Sequence, residues 1–133
     1  MKTIALIEKG KDGTYGIFTP DINSTIIGSG DTVAEAKADF ENSVQEIIEA
    51  YQENGDELPD ELKNIEFDFQ YDLASIFNFY DFINVSKFAK RTGINPSLMR
   101  QYKTRKMPIS KVQKAKIQTI FHHIGKEFAA IKL

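Results

Sequence analysis

The first half of the chain has the hydrophobic pattern of a small β-sheet. Apolar residues at positions 4–7 and at 15, 17 and 18 flank the turn residues 11–13, a combination typical of a β-hairpin. Residues 24–27 are β-branched or small and precede a glycine, which predicts a third short strand. Apolar and polar residues alternate strictly over residues 65–71, which predicts a fourth, half-buried strand.

One amphipathic helix is predicted between the third and fourth strands. Thr32 and Glu35 stand at capping-box spacing, in which the two side chains satisfy the free N–H groups at a helix start. Apolar residues then recur in steps of three and four as far as Tyr51, while most of the acids fall on the other side. Asn54 and Gly55 end the pattern, so the predicted order of the module is βββαβ.

The apolar pattern of the second half is entirely helical, and we place a domain boundary between residues 1–72 and residues 73–133. Four helices are predicted there, the last and longest of them capped by Ser110. Asn95 is a favourable N-cap, and Pro96 suits the first helical position because a helix leaves that N–H without a partner. The predicted fold class is therefore α+β, a βββαβ domain followed by an all-α domain.

The charged residues divide the chain at the same boundary. Residues 1–72 contain 5 lysines against 17 acids, a net charge of −12, whereas residues 73–133 contain 12 basic residues against 2 acids, a net charge of +10. Such a contrast indicates two modules with different partners, one of which binds a polyanion.

Composition excludes several classes of function. The chain has no cysteine, which rules out disulfides, thiolate metal sites and a cysteine nucleophile. No apolar run reaches the ~20 residues of a membrane span, and charge interrupts the N-terminus too early for a signal peptide. We expect a cytoplasmic protein with no membrane partner and no cofactor.

Residues 85–106 have the order of a helix-turn-helix, namely a short helix, a glycine turn and a capped second helix. Ala89 is small where two helices must cross closely, and Gly93 can adopt the left-handed conformation of the turn. By pattern this segment resembles the helix-turn-helix of phage repressors and Cro-like proteins. Pro96 and Arg105 depart from that family, which commonly has a polar residue at the first position and glycine at the second.

The outer side of the second helix supplies the predicted DNA contacts. Arg100 can form two hydrogen bonds with guanine, Gln101 can pair with an adenine edge, and Ser97 can reach a base or a phosphate. Lysines and arginines near the DNA backbone would supply the salt-dependent part of the affinity. The predicted DNA-binding set is Arg91, Asn95, Pro96, Ser97, Arg100, Gln101, Lys103, Thr104, Arg105 and Lys106.

Residues 12–51, DGTYGIFTPDINSTIIGSGDTVAEAKADFENSVQEIIEAY, resemble the N-terminal domain of HicB antitoxins. The match consists of a tyrosine strand, a Pro-Asp pair, and Gly-Asp-Thr at a helix start followed by Glu-Ala. The matching residues are Gly13, Tyr15, Phe18, Pro20, Asp21, Gly30, Asp31, Thr32, Glu35, Ala36 and Tyr51. The resemblance implies a partly degenerate ribonuclease-H-like domain that masks HicA, a small basic mRNA interferase, while the C-terminal domain represses the shared operon. The expected toxin-binding residues are Tyr15, Phe18, Asp21, Asp31 and Glu35.

Two other function classes remain open besides the antitoxin. One is a stand-alone repressor whose acidic domain dimerises or senses a ligand. The other is a nuclease, which would need several carboxylates converging on two divalent metals. The first strand has no acid in its middle, and Glu8, Asp21 and Asp31 lie at strand ends or turns. Adjacent helical residues point about 100° apart, so His122 and His123 do not suit one metal ion. We therefore expect no catalytic residues and no metal.

The second domain is also expected to self-associate. Helix-turn-helix proteins commonly dimerise so that two recognition helices meet successive major grooves about 34 Å apart. The long final helix has more apolar residues than a small domain can bury, which makes it the expected interface of a homodimer or higher oligomer. The alternative for this half is a helical dimerisation domain with a basic, solvated surface.

Overall fold

A computed structural model describes all 133 residues, which form a four-stranded sheet and five α-helices. The strands are β1 (Lys2–Lys9), β2 (Tyr15–Phe18), β3 (Ile27–Gly30) and β4 (Glu66–Tyr71). The helices are α1 (Val33–Asn54), α2 (Leu73–Phe79), α3 (Val85–Thr92), α4 (Pro96–Lys103) and α5 (Lys111–Ala129), and a single 3-10 turn lies at Asp60–Leu62. The fold is thus α+β, and the predicted βββαβ order of the first half is confirmed.

The chain divides into two compact units, Met1–Phe79 (unit 1) and Tyr80–Leu133 (unit 2). The division lies at residue 79 rather than at residue 72, because α2 packs with the sheet. The backbone N–H of Lys9 donates to Ser75 Oγ at 3.0 Å, and Lys9 Nζ lies 4.4 Å from the ring centre of Phe79. Residues 73–79 carry no charge, so the net charges of −12 and +10 also describe the two units.

The sheet of unit 1 has the strand order β3-β2-β1-β4. β1 pairs antiparallel with β2 and parallel with β4, and β2 pairs antiparallel with β3. The sequence predicts that the third strand starts at residue 24, but β3 starts at Ile27. The reason is that Ser24 belongs to a loop that is held by hydrogen bonds to Glu61. Glu61 accepts hydrogen bonds from the backbone N–H of Asn23 and from both the N–H and the hydroxyl of Ser24. Those donors are therefore turned towards the 3-10 turn rather than towards a neighbouring strand.

Helix α1 covers one face of the sheet. Its start is capped as predicted, since Thr32 Oγ1 accepts from the N–H of Glu35 at 3.1 Å. Gly55, at a φ of 70°, ends it. Phe40 is fully buried at the centre of this layer, and its ring centre lies 4.8 Å from that of Phe67. The close approach depends on Gly28, where an added Cβ would lie 2.4 Å from the backbone N of Phe40.

Unit 2 is a group of three helices with a small core. α4 packs on α3, and α5 contacts α3 through Phe121, whose ring centre lies 4.8 Å from that of Phe88. The far end of α5 is less covered: Phe128 is 59% exposed, and Ile131 beyond the helix is 62% exposed. None of the five helices combines the length and apolar character that crossing a membrane demands.

Candidate functional site

The turn between α3 and α4 has the geometry that the sequence predicted. Gly93 adopts a φ of 75°, in the left-handed region. The N–H of Ile94 donates to Ala89 O at 3.2 Å, so the last turn of α3 is closed by a Schellman motif. Thr92 reinforces it, because its hydroxyl donates to Ala89 O at 2.7 Å and accepts from the N–H of Ile94 at 3.1 Å. Ala89 and Ile94 are both buried, which fixes how α4 leaves α3.

Helix α4 has a clear division between a buried and an exposed side. Asn95 Oδ1 accepts from the N–H of Ser97 at 2.8 Å, and Pro96 occupies the first turn, as predicted. Met99 and Tyr102 are buried in the core of unit 2. The predicted DNA-binding residues of α4 and of the segment after it are therefore at the surface. Asn95, Ser97, Arg100, Thr104, Arg105 and Lys106 are exposed, and Pro96, Gln101 and Lys103 are half-buried.

Arg100 is held in place by a residue of the preceding helix. Its Nη1 donates to Ser86 Oγ at 2.9 Å, across the turn from α4 to the start of α3. A guanidinium group has five N–H donors in a planar fork, so one such bond leaves donors for a further acceptor. Ser86 thereby restricts the direction in which Arg100 projects from α4.

The end of α4 explains one departure from the helix-turn-helix pattern. Arg105 adopts a φ of 60°, a conformation that glycine takes with less strain. The N–H of Arg105 donates to Tyr102 O at 3.2 Å and that of Lys106 donates to Gln101 O at 2.9 Å, which again forms a Schellman motif. Arg105 therefore stands in a backbone position suited to the glycine frequent in the family.

Arg91 lies on α3, whereas the other basic residues of the predicted DNA-binding set lie on α4 and just after it. Its Nη2 is 3.1 Å from Glu127 Oε1 on α5, and the two side chains are about half exposed. An exposed ion pair of this kind stabilises a protein by at most about 1 kcal/mol. Arg91 thus remains near the surface, but Glu127 partly offsets its charge.

The five residues expected to bind a toxin lie in four places of unit 1. Tyr15 packs against the core on the α1 side of the sheet, with Lys9 Nζ 3.9 Å from its ring centre. Phe18, three residues along the same strand, faces the other side. Asp21 is exposed in the loop after β2, whereas Asp31 and Glu35 lie together at the start of α1, where the N–H of Asp31 donates to Glu35 Oε2 at 3.0 Å.

A further surface of unit 1, which we name the open face, was missed from the sequence. Thr3, Ala5 and Ile7 of β1 are buried beneath α1, so Ile4 and Leu6 point to the opposite face. The open face consists of Ile4, Leu6, Phe18 and Ile27 with Gly16 among them, together with Lys2, Glu8, Ser29, Glu66, Asp68 and Gln70 on the same side of the four strands.

One row of the open face runs in register across all four strands. Leu6 lies opposite Phe18 on one side and Gln70 on the other, and Phe18 lies opposite Ile27. Ile27 is 61% exposed, and an added Cβ at Gly16 would meet no atom within 4 Å. The sequence feature that indicates this second apolar face is the continuous apolar run of β1, which is typical of a strand covered on both faces.

Histidine and carboxylate side chains are not gathered into a metal site. No group of three or more His, Cys, Asp or Glu residues is placed to hold an ion. His122 and His123 are both exposed on α5.

Comparison with known proteins yields a partial similarity. The chain is 44% identical over 45 residues to a protein of Synechocystis sp. (strain ATCC 27184 / PCC 6803 / Kazusa) described as "UPF0150 protein ssl0738". The aligned segment is 34% of this chain and 61% of that protein, so the chain matches less than two thirds of its relative's length. No protein-family model and no solved structure matches the chain. The relative's name states neither an activity nor a partner.

Proposed function

We propose that the protein is an antitoxin that masks a small basic HicA-like mRNA interferase through unit 1 and represses its own operon through unit 2. The observation that carries this proposal is the division of charge, −12 in one compact unit and +10 in the other. Opposite fields attract a cationic protein to one unit and a polyanion to the other, and each field repels the other's partner. The HicB-like pattern of residues 12–51 and the βββαβ order of unit 1 support a ribonuclease-H-like domain in this role.

In the DNA-binding arm, α4 is the recognition helix. Ser97, Arg100 and Gln101 lie on its outer side, where a helix in the major groove presents side chains to base edges. Pro96 has no polar side chain, and the side-chain oxygen of Asn95 is engaged in capping. Direct reading of sequence therefore falls mainly on the other three residues. Lys103 and the basic residues after α4 neutralise phosphates.

The DNA-binding arm is tested by binding of the full chain to DNA from upstream of its own gene and to a shuffled sequence. Arg100→Ala should weaken operator binding by about 1–3 kcal/mol and relax specificity. Lys103→Ala should weaken both DNAs alike and reduce the slope of affinity against salt by about one phosphate contact. Equal losses on both DNAs for both variants would refute this division of roles.

The toxin-binding arm is tested by co-expression with a small basic protein encoded beside this gene. Relief of growth arrest and co-purification of a stable complex are the expected results. Arrest that continues at full antitoxin expression, with no complex recovered, would overturn the antitoxin proposal.

The second candidate is a stand-alone repressor whose acidic unit dimerises or senses a ligand. The exposed apolar residue Ile27 on the open face favours it, because such a surface can also join two copies of a chain. Operator binding without any toxin interaction, together with a dimer that dissociates when the open face is altered, would favour this candidate.

A further inference from the structure

We propose that the open face of unit 1 is the docking surface for a cationic protein partner, whose apolar residues cover Leu6, Phe18 and Ile27 and whose lysines or arginines meet the surrounding carboxylates. The inference deepens the proposed function, since it rests on unit 1 binding a basic protein and identifies where that protein binds. It adds one continuous surface, which includes Phe18, to the residues expected from the sequence.

The first argument is that the open face is apolar without being covered by a layer of unit 1. α1 packs on the opposite face, and α2 contacts β1 at Lys9, where its Ser75 and Phe79 lie. A strand with side chains such as Ile4 and Leu6 on its second face normally has both faces covered. The outer edge of the apolar row is accessible at Ile27, which is 61% exposed.

The second argument is that the sheet leaves space for a partner's side chain on the open face. Gly28 and Gly30 allow α1 to touch the other face, because an added Cβ there would lie within 2.7 Å of α1 atoms. Gly16 has no such neighbour, since a Cβ at that position would meet nothing within 4 Å. The missing side chain leaves a depression beside the Leu6–Phe18 row that a partner side chain can enter.

The third argument is charge, which selects among possible occupants. Glu66 and Asp68 lie on the open face with one basic residue, Lys2, in a unit whose net charge is −12. The net negative charge of unit 1 repels the phosphates of a nucleic acid, and it repels unit 1 of a second copy. A cationic protein surface is the occupant that gains both apolar contact and electrostatic attraction.

The experiment compares two charge-reversed variants of the full chain with identical net charge. Glu66→Lys with Asp68→Lys alters the open face, and Glu41→Lys with Glu53→Lys alters the exposed side of α1. A third variant, Gly16→Gln, projects an uncharged side chain from the open face without disturbing the core. Urea unfolding checks that each variant is folded.

Two probes are titrated against each variant: a synthetic amphipathic peptide of lysine and leucine, and a purified, catalytically inactive HicA-like toxin. The open-face reversal and Gly16→Gln should each weaken binding of both probes by at least about tenfold. The α1 reversal should change it by about twofold, through the long-range field alone. Equal weakening by the two reversals would overturn the proposal, because the total field of unit 1 would then explain the binding.

The two proposals fail separately in this design. Toxin binding that is indifferent to all open-face variants leaves the antitoxin function standing and removes the docking surface. Peptide binding that depends on the open face, with no binding of the toxin, leaves the surface standing and removes the antitoxin function. A dimer of the unaltered chain that becomes monomeric in Gly16→Gln would show that a second copy occupies the face, which also overturns the proposal.

Discussion

Replacing Gly93 by alanine tests the turn on which the helix-turn-helix geometry depends. The residue has a φ of 75°, and an added Cβ would meet no atom within 4 Å, so the only penalty is conformational. A left-handed conformation costs a non-glycine residue roughly 1–2 kcal/mol. Alanine recovers about 0.5–1 kcal/mol of that cost, because it loses less backbone freedom than glycine on folding. We expect Gly93→Ala to lower the free energy of unfolding of unit 2 by about 1 kcal/mol.

Gly125 provides a matched control in the same unit. It lies inside α5, its φ is not positive, and an added Cβ would again meet nothing within 4 Å. Gly125→Ala should therefore raise the free energy of unfolding by about 0.5–1 kcal/mol, opposite in sign to Gly93→Ala. Gly93→Asn should fall between the alanine variant and the unaltered chain, because asparagine tolerates the left-handed region.

The measurement is urea unfolding followed by NMR, with resonances assigned to unit 2, so that unfolding of unit 1 does not enter the result. DNA affinity measured well below the urea transition should be unchanged in Gly93→Ala, since the folded turn is kept. A stabilising or neutral effect of Gly93→Ala, alongside the expected gain from Gly125→Ala, would refute the left-handed turn and the helix arrangement built on it.

Three further predictions concern other backbone positions and one carboxylate. Gly28→Ala should destabilise unit 1 by about 3 kcal/mol, because the added Cβ would lie 2.4 Å from the backbone of α1. Gly16→Ala should be tolerated, because its Cβ would meet no atom within 4 Å. Thermal unfolding of both variants checks this. Arg105→Gly should be about 1 kcal/mol more stable than Arg105→Ala, because both variants lose the arginine side chain but only alanine is strained at this positive φ. Both variants should bind DNA equally weakly in anisotropy titrations. The side-chain hydrogen bond from Ser24 holds the pKa of Glu61 below its ordinary value. The ionised Glu61 therefore stabilises the fold fully at a pH above the ordinary pKa of a glutamate. This stabilisation is lost as the pH falls through the lowered pKa of the folded protein. Glu61→Gln should therefore unfold with a weaker dependence on acid pH, and an unchanged dependence would contradict this role.

Features set by local chemistry could be predicted from the sequence. The caps at Thr32, Asn95 and Ser110 were found because each side chain bonds an N–H only two or three residues away. The turn at Gly93 was found for the same reason, because a single residue's freedom at positive φ decides it. The exposed side of α4 followed from the helical period once Met99 was assigned to the core.

Features set by long-range contacts could not be predicted in this way. The third strand was placed too early because Glu61, 37 residues from Ser24, takes the donors of that loop. α2 was assigned to the second domain because its own sequence gives no sign of the bond between Ser75 and Lys9, 66 residues away. In both cases a distant side chain decided a boundary that composition alone placed elsewhere.

The open face shows why a surface proposed for binding is hard to find from the sequence, even where the order of the strands is predicted. Every strand of the sheet was expected, but the position of each side chain on one face or the other depends on register, which only the pairing of Leu6 with Phe18 and Gln70 reveals. The resemblance to HicB antitoxins points to residues by their place in a motif, and two of these also make contacts within unit 1: Tyr15 packs on the core, and Glu35 accepts from the N–H of Asp31. The apolar run of β1 looks like ordinary core from the sequence, and the proposal that it marks a docking surface depends on the lack of a covering layer within unit 1 on one side of it.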